Sequence, residues 1–306
     1  MYRRKVTAAT LRRHIRERRG EGSGGSYVPG VQVRRSDSAS HGRSSVENNP
    51  KLGRQHDLLT KFQSAVCLTL RRTEAVKDIL ENHPFPVTAA EHPGQRWSLD
   101  RLDGTAGSVA IASAKGLRHP LHPDAENEPK SMITPLLVAL QADEAAAPIP
   151  IAIVLSHRPQ LDAPCAERNA PKLLYECWEA IGVEVLTYRR QSLPETVYQN
   201  HIWLSEAEAF DGEITSGAKV QAFISCTLLE DWRSDSAHSV LARIAARLGI
   251  PLSEGIALYK HCLWFNHLST DLTRPLWRLL GSHNQPGTGH EPLPTWHPLA
   301  TSRWLS

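Results

Sequence analysis

Lys115 and Asp100 are the residues whose types and spacing suggest chemistry in this 306-residue chain, with Asp103 the next acid along the chain. A lysine near an attacking water, with carboxylates holding a divalent cation that activates the water and neutralises phosphate charge, is equipment for phosphodiester hydrolysis. The two acids also flank the turn signal Asp103-Gly104, and that plainer reading is favoured for them. Lys115 reads equally well as a charged residue closing a strand. His119 and His122 form a His-x-x-His without the companion cysteine pair that a zinc site of this kind needs. The five cysteines, Cys67, Cys165, Cys177, Cys226 and Cys262, are widely spaced and include no Cys-x-x-Cys, so reduced and mostly buried thiols are expected.

The elements that must position these groups lie in Leu52 to Lys115. Leu58, Leu59, Phe62, Ala65, Val66, Leu68, Thr69 and Leu70 recur at three- and four-residue spacing, which predicts a helix with one buried face and Thr60 as its cap. Ala75 to Leu80 and the extended Pro84-Phe85-Pro86-Val87 follow. Gln95 to Leu102 and Ser108 to Ala114 alternate on either side of Asp103-Gly104, so Trp97 to Lys115 is predicted to be a hairpin. Helix, strand, hairpin and lysine in this order resemble restriction-type nucleases, in which a helix carboxylate and two hairpin positions hold the metal.

Composition bounds the reading. The chain can hold one large or two ordinary domains. At 41% apolar and 22% charged it is ordinary for a soluble protein. No run approaches the roughly 20 apolar residues of a membrane span, and the start is too arginine-rich for a secretory signal, so a cytoplasmic protein with no membrane partner is expected. The net charge of +3 is unevenly placed. Residues 1–54 sum to +9, with Arg12, Arg13, Arg16, Arg18, Arg19 and Arg54 among their cations, and the remainder sums to −6. A basic arm on a mildly acidic body points to a polyanion, nucleic acid first, and those six arginines are the candidate DNA contacts. A solvated tail without a dedicated partner is the alternative.

An ordered series of short motifs then carries a family resemblance. Arg19-Gly20-x-Gly22-x-Gly24, Tyr27-x-Pro29, Gly42-Arg43-Ser44, Gly53-Arg54, Leu58-Leu59, Ala65-Val66, Asp78-Ile79 and Glu81-x-x-Pro84 together resemble TnsA, the endonuclease subunit of heteromeric bacterial transposases. The likeness resumes at Lys172 to Trp178, Gly182 to Tyr188 and Asn200 to Leu204. It implies an α/β, restriction-endonuclease-like domain followed by a mainly helical, winged-helix-like domain. It also implies transposon-end DNA as substrate, with a DDE transposase of the TnsB type and an ATPase regulator of the TnsC type as partners. Mg2+ is implied if the protein cuts.

The resemblance places the family's helix acid at Gln63, whose neutral amide cannot neutralise a cation although its carbonyl can hold a ligand. The first hairpin acid falls at Arg96 or Trp97, and neither binds metal. The terminal lysine is Lys115, following Ser113-Ala114. Asp100 would be a migrated metal ligand only if the hairpin also shifted, since it stands roughly 13 Å from position 96 along a strand. Glu81 matches a family glutamate for which a structural hydrogen bond is favoured over metal binding. The resemblance therefore implies a nuclease fold whose cutting is weakened or lost.

The domains so read are a basic arm and loop (1–54), a nuclease domain (55–191) with an insertion at 116–170, a helical domain (192–280) and a Pro/Trp-rich tail (281–306). The insertion holds a predicted helix, Met132 to Ala142, and an apolar strand, Ile149 to Leu155. Helices are predicted over Pro171 to Ile181, Gly217 to Trp232, Ala237 to Leu248 and Ser253 to Trp264, with a wing over Trp264 to Trp277. Lys260 and His261 are the only cations that the second helix of the helix-turn-helix-like pair offers to DNA, so protein contact or core packing is favoured for it. For the tail, with Trp296 and Trp304, docking in a partner's groove and a disordered end stand level.

Overall fold

The computed structural model describes residues 7–33, 44–97, 104–122, 125–141, 146–156, 165–210, 212–278, 286–287 and 293–302. The chain divides into two compact units, Met1–Arg190 with Pro298–Ser306, and Gln191–His297.

The first unit runs α1 (Ala8–Arg16), β1 (Ser45–Asn49), β2 (Arg54–Leu58), α2 (Lys61–Arg72), β3 (Val76–Phe85), α3 (Ser108–Ala114), β4 (Leu121–His122), β5 (Glu128–Pro129), β6 (Met132–Leu140), β7 (Ile149–Ser156), α4 (Cys165–Glu179) and β8 (Glu184–Arg189). β3, β6, β7 and β8 form one sheet in that order. β3 to β6 and β6 to β7 are antiparallel, and β7 to β8 is parallel across the α4 connection. α4 covers one face through Leu173, Leu174, Cys177 and Trp178, packed with Leu80, Phe85, Leu137 and Ala152. On the other face, Phe62 of α2 stacks on Tyr188 of β8 at 5.8 Å.

The periodic helix forms from Lys61 onward; Leu58 and Leu59, expected in it, precede it, Leu58 at the end of β2. Thr60 caps α2, its hydroxyl accepting from Gln63 N at 3.0 Å. Two expectations fail in the first unit. The hairpin over Trp97 to Lys115 does not form: Ser108–Ala114 is a helix. Its buried residues Ser108, Ile111 and Ala112 have helical spacing, and Gly107 at φ +82° turns the chain into it. A side chain at Gly107 would meet the backbone of Thr88 at 2.4 Å. The helix expected over Met132 to Ala142 is the strand β6. Pro135 would break a helix interior, and Ile133, Thr134 and Val138 are β-branched. The apolar strand at Ile149 forms as β7. Residues 116–170 thus contain the two middle strands of the sheet. Asp100 and Asp103 lie outside the described residues.

The second unit holds α5 (Glu195–Ser205), α6 (Gly217–Leu229), α7 (Ala237–Leu248) and α8 (Leu252–Trp264). α8 is its central element, packed against α5, α6 and α7 with Leu258, Tyr259, Cys262 and Leu263 fully buried. Gly249, at φ +66°, closes α7 before the turn. Where a wing is expected, residues 265–278 run as turns, joined to Gly287 by a single antiparallel bridge from Ser269. Asn200 holds this segment, its amide donating to Leu272 O and Arg274 O at 2.7 Å each while Leu276 N donates to its carbonyl.

The described part of the tail packs on its own chain. Trp296 lies 6.1 Å from the His201 ring within the second unit. In the first unit, Leu299 is buried and Ser302 Oγ donates to Glu184 Oε2 at 2.9 Å. Among the described residues no helix is long and apolar enough to cross a membrane.

Candidate functional site

β2 alternates, turning Arg54, His56 and Leu58 inward. On the adjacent β3, Glu81 is fully buried and receives both. Arg54 forms a two-pronged pair with it, Nη1 to Oε1 at 2.9 Å and Nη2 to Oε2 at 2.8 Å. His56 Nδ1 reaches Oε2 at 2.7 Å, and Asp57 N donates to Oε1 at 3.1 Å. Asn49 Nδ2 lies 2.8 Å from His56 Nε2, which assigns the imidazole proton to Nδ1. Burial alone would raise the Glu81 pKa, but the hydrogen bonds from His56 and Arg54 hold it below the ordinary value. The Arg54 guanidinium also lies over the Tyr27 ring at 5.0 Å. Arg54 is therefore a core residue, 6% exposed at its side chain, and does not face DNA. The alternation with Leu58 was the sequence signal for this; the charge count of the arm hid it.

One residue further along β3, Asn82 meets Gln63 of α2. Both are buried. Gln63 Oε1 accepts from Leu59 N at 2.8 Å, and its Nε2 donates to Asn82 Oδ1 at 3.1 Å and to Pro135 O of β6 at 2.8 Å. Asn82, at φ +50°, donates to Val31 O at 3.1 Å and Asp57 O at 2.6 Å. The helix position thus does face the sheet's hairpin, but that hairpin is β6–β7, and neither strand contains a charged residue. Among the described residues no group of three or more His, Cys, Asp or Glu converges as a metal would require. The donor set present at Gln63 does not fit magnesium: its amide nitrogen, not an oxygen, points at the hairpin.

Lys115 is elsewhere. It follows α3 and pairs with Glu176 of α4 at 2.8 Å, half-exposed, its pKa raised by that hydrogen bond. It shares no partner with Gln63. Arg96 donates to Gly20 O and Gly22 O at 3.0 and 2.9 Å. Trp97 donates to Asp78 Oδ2, which also accepts from Gly24 N. These bonds fasten the glycine loop to β3, and Gly20 passes so close to Pro84 that a side chain there would meet its ring at 2.3 Å. The motifs from Arg19 to Gly24 and from Glu81 to Pro84 are therefore one packed structure.

Of the basic arm, Arg12 and Arg16 of α1 and Arg18 are exposed, the last paired with Glu21 at 2.7 Å. Arg13 is half-buried beside Glu17, and the Arg19 side chain is 3% exposed, bonded to Glu17 and Gly30 O. In the second unit Lys260 is buried, paired with Glu206 and lying over the Trp203 ring at 4.5 Å. His261 is half-buried, with its ring 4.6 Å from Phe265. α8 is thus built into a core rather than offered to a groove. Burial raises the Cys177 and Cys262 thiols to about 12, so neither is a nucleophile at neutral pH.

The mixed sheet with helices on both faces makes this an α/β chain compatible with a nuclease-like fold. No family model matches it. Over 111 residues the chain is 39% identical to transposon Tn7 transposition protein TnsA of Escherichia coli, which supports a TnsA-like relationship. The match covers 36% of this chain and 33% of that protein, so the chain spans about a third of the relative's length.

Proposed function

We propose that this protein is a TnsA-like subunit of a heteromeric DNA transposase acting at transposon ends, with its nuclease fold kept and its strand cutting weakened or lost. Its partners are a DDE transposase of the TnsB type and an ATPase regulator of the TnsC type, and its role is assembly of the complex on DNA. The observation that carries the loss of cutting is that Gln63 meets β6 at Pro135 O, and neither β6 nor its hairpin partner β7 contains a charged residue. Without convergent carboxylates, hydrolysis forfeits several kcal/mol or more of transition-state stabilisation, on the order of thousands-fold in rate.

The test is nicking of a plasmid carrying the element's ends, with the partner transposase present, in magnesium and in manganese. Wild type and Lys115→Ala are expected to behave alike, adding no cut of their own while complex assembly still requires the subunit. A metal-dependent cut that disappears in Lys115→Ala would overturn the reading and return Lys115 to an active site.

The exposure of Arg12, Arg16 and Arg18 favours a second reading, a DNA-binding regulator that works through the arm alone. On either reading these three side chains contact phosphates. Changing all three to alanine is expected to weaken duplex binding by on the order of 100-fold near 0.1 M salt and to lower the salt slope by roughly 2.7. Filter binding across a salt series reads both. Strong binding of the isolated protein to any duplex favours the regulator; binding only alongside the transposase favours the subunit.

A further inference from the structure

The amides of Gln63 and Asn82 have only one orientation that satisfies them. Asn82 Nδ2 faces two carbonyl oxygens, Val31 O and Asp57 O, so its Oδ1 must face Gln63. Gln63 Nε2 then faces two acceptors, Asn82 Oδ1 and Pro135 O, while Oε1 meets the N–H of Leu59. Reversing either amide would set oxygen against oxygen and nitrogen against N–H. The chain of bonds joins six segments: β2 at Asp57, the approach to α2 at Leu59, α2 itself, β3, β6 and the loop at Val31. Burial makes each bond costly to leave unmade.

A cation held by a helix carboxylate and hairpin positions would fasten the same helix to the same hairpin, since a bound metal stabilises whatever its ligands join. We propose that the Gln63–Asn82 amide pair is a structural clasp standing in place of that cation, tying α2 to β3 and β6 and closing the position to divalent metals. Each side-chain oxygen is committed to a protein donor, and the group presented to β6 is an NH2, which a cation repels. The proposal rests on the nuclease-type reading only for where the missing cation belongs. It follows that restoring the acid alone does not restore the site: a carboxylate at position 63 would face Asn82 Oδ1 and Pro135 O with no proton to give either.

Thermal unfolding of the full chain tests this. For the wild type, Tm in EDTA and in excess manganese is expected to agree within about 1 °C, whereas a metal present at 100 times its Kd would raise Tm by roughly 5–10 °C at this size. Gln63→Glu is expected to lower Tm by roughly 5–10 °C, unrescued by manganese. Gln63→Met, of similar volume and without either donor, is expected to lower it as well. If Gln63→Glu fails to fold, the wild-type and Gln63→Met results still decide. The clasp is overturned by a saturable manganese-dependent rise in the wild type, by manganese restoring Gln63→Glu to wild-type Tm, or by Gln63→Met matching wild type. A manganese-linked rise without plasmid cutting sinks the clasp alone; cutting without such a rise sinks the functional reading alone.

Discussion

Glu81→Gln is expected to destabilise the first unit by about 3–5 kcal/mol near pH 7, because it leaves the Arg54 guanidinium buried without its counter-charge. The amide can still accept one bond from Arg54, but it turns an NH2 toward a donor that the carboxylate accepted. The pH dependence identifies the mechanism. In the folded wild type the Glu81 pKa lies below the ordinary 4.5, so the unfolded chain takes up the proton first as pH falls. The stabilisation is therefore present above about 4.5 and lost as pH falls through the folded value. Glu81→Gln has no such proton to gain. Urea unfolding of both proteins should show a large gap at neutral pH that narrows below about 4.5; a gap independent of pH would mean that packing, not charge, is what the substitution removes.

Trp178→Ala is expected to cost a similar amount, about 3–5 kcal/mol, by a different route. The indole is fully buried, meets Phe85 edge-on at 5.0 Å and lies 6.1 Å from the His83 ring. Its Nε1 donates to Thr134 Oγ1 at 2.8 Å, the bond that joins α4 to β6. Alanine would leave a large void between the crossover helix and the sheet. Trp178→Phe keeps most of the volume and gives up the bond to Thr134, so it should cost about 1–3 kcal/mol. Equilibrium denaturation orders the three proteins. If phenylalanine and alanine proved equally damaging, the hydrogen bond would outweigh the packing.

What the residues disclosed in advance was mostly local. The spacing from Phe62 to Leu70 with Thr60 ahead of it specified α2, because period and cap act within a few residues. The helix expected over Met132 to Ala142 gives way to the strand Met132–Leu140 because a continuous apolar run has the same composition in a buried strand as in a buried helix, and Pro135 is the discriminating residue. Ser108 to Ala114 is short and has only two large apolar side chains, Val109 and Ile111, so alternation and helical spacing both fit it. With both segments folded otherwise, the hairpin is β6–β7 rather than Trp97 to Lys115, and Lys115 stands after α3 beside Glu176.

The candidate site was legible only at Gln63. Its partners Asn82 and Pro135 are brought together by the pairing of β3 with β6, and Arg54 and Glu81 by the packing of β2 against β3, across stretches of chain that no local pattern connects. Arg54 shows the limit plainly. In sequence it ends a run of cations, and in the fold it is the buried counter-ion of the sheet.

The return of Leu299 and Ser302 to the first unit governs how the molecule can be made. On the ribosome, the segment that covers Leu299's site and bonds to Glu184 emerges only after all of residues 191–297. The nascent first unit must wait through that interval with part of its surface uncovered, and a nascent chain in that state is open to chaperones and to misassembly. Slowing or stalling synthesis late in the second unit should therefore damage the first, although its strands have been made well before that point.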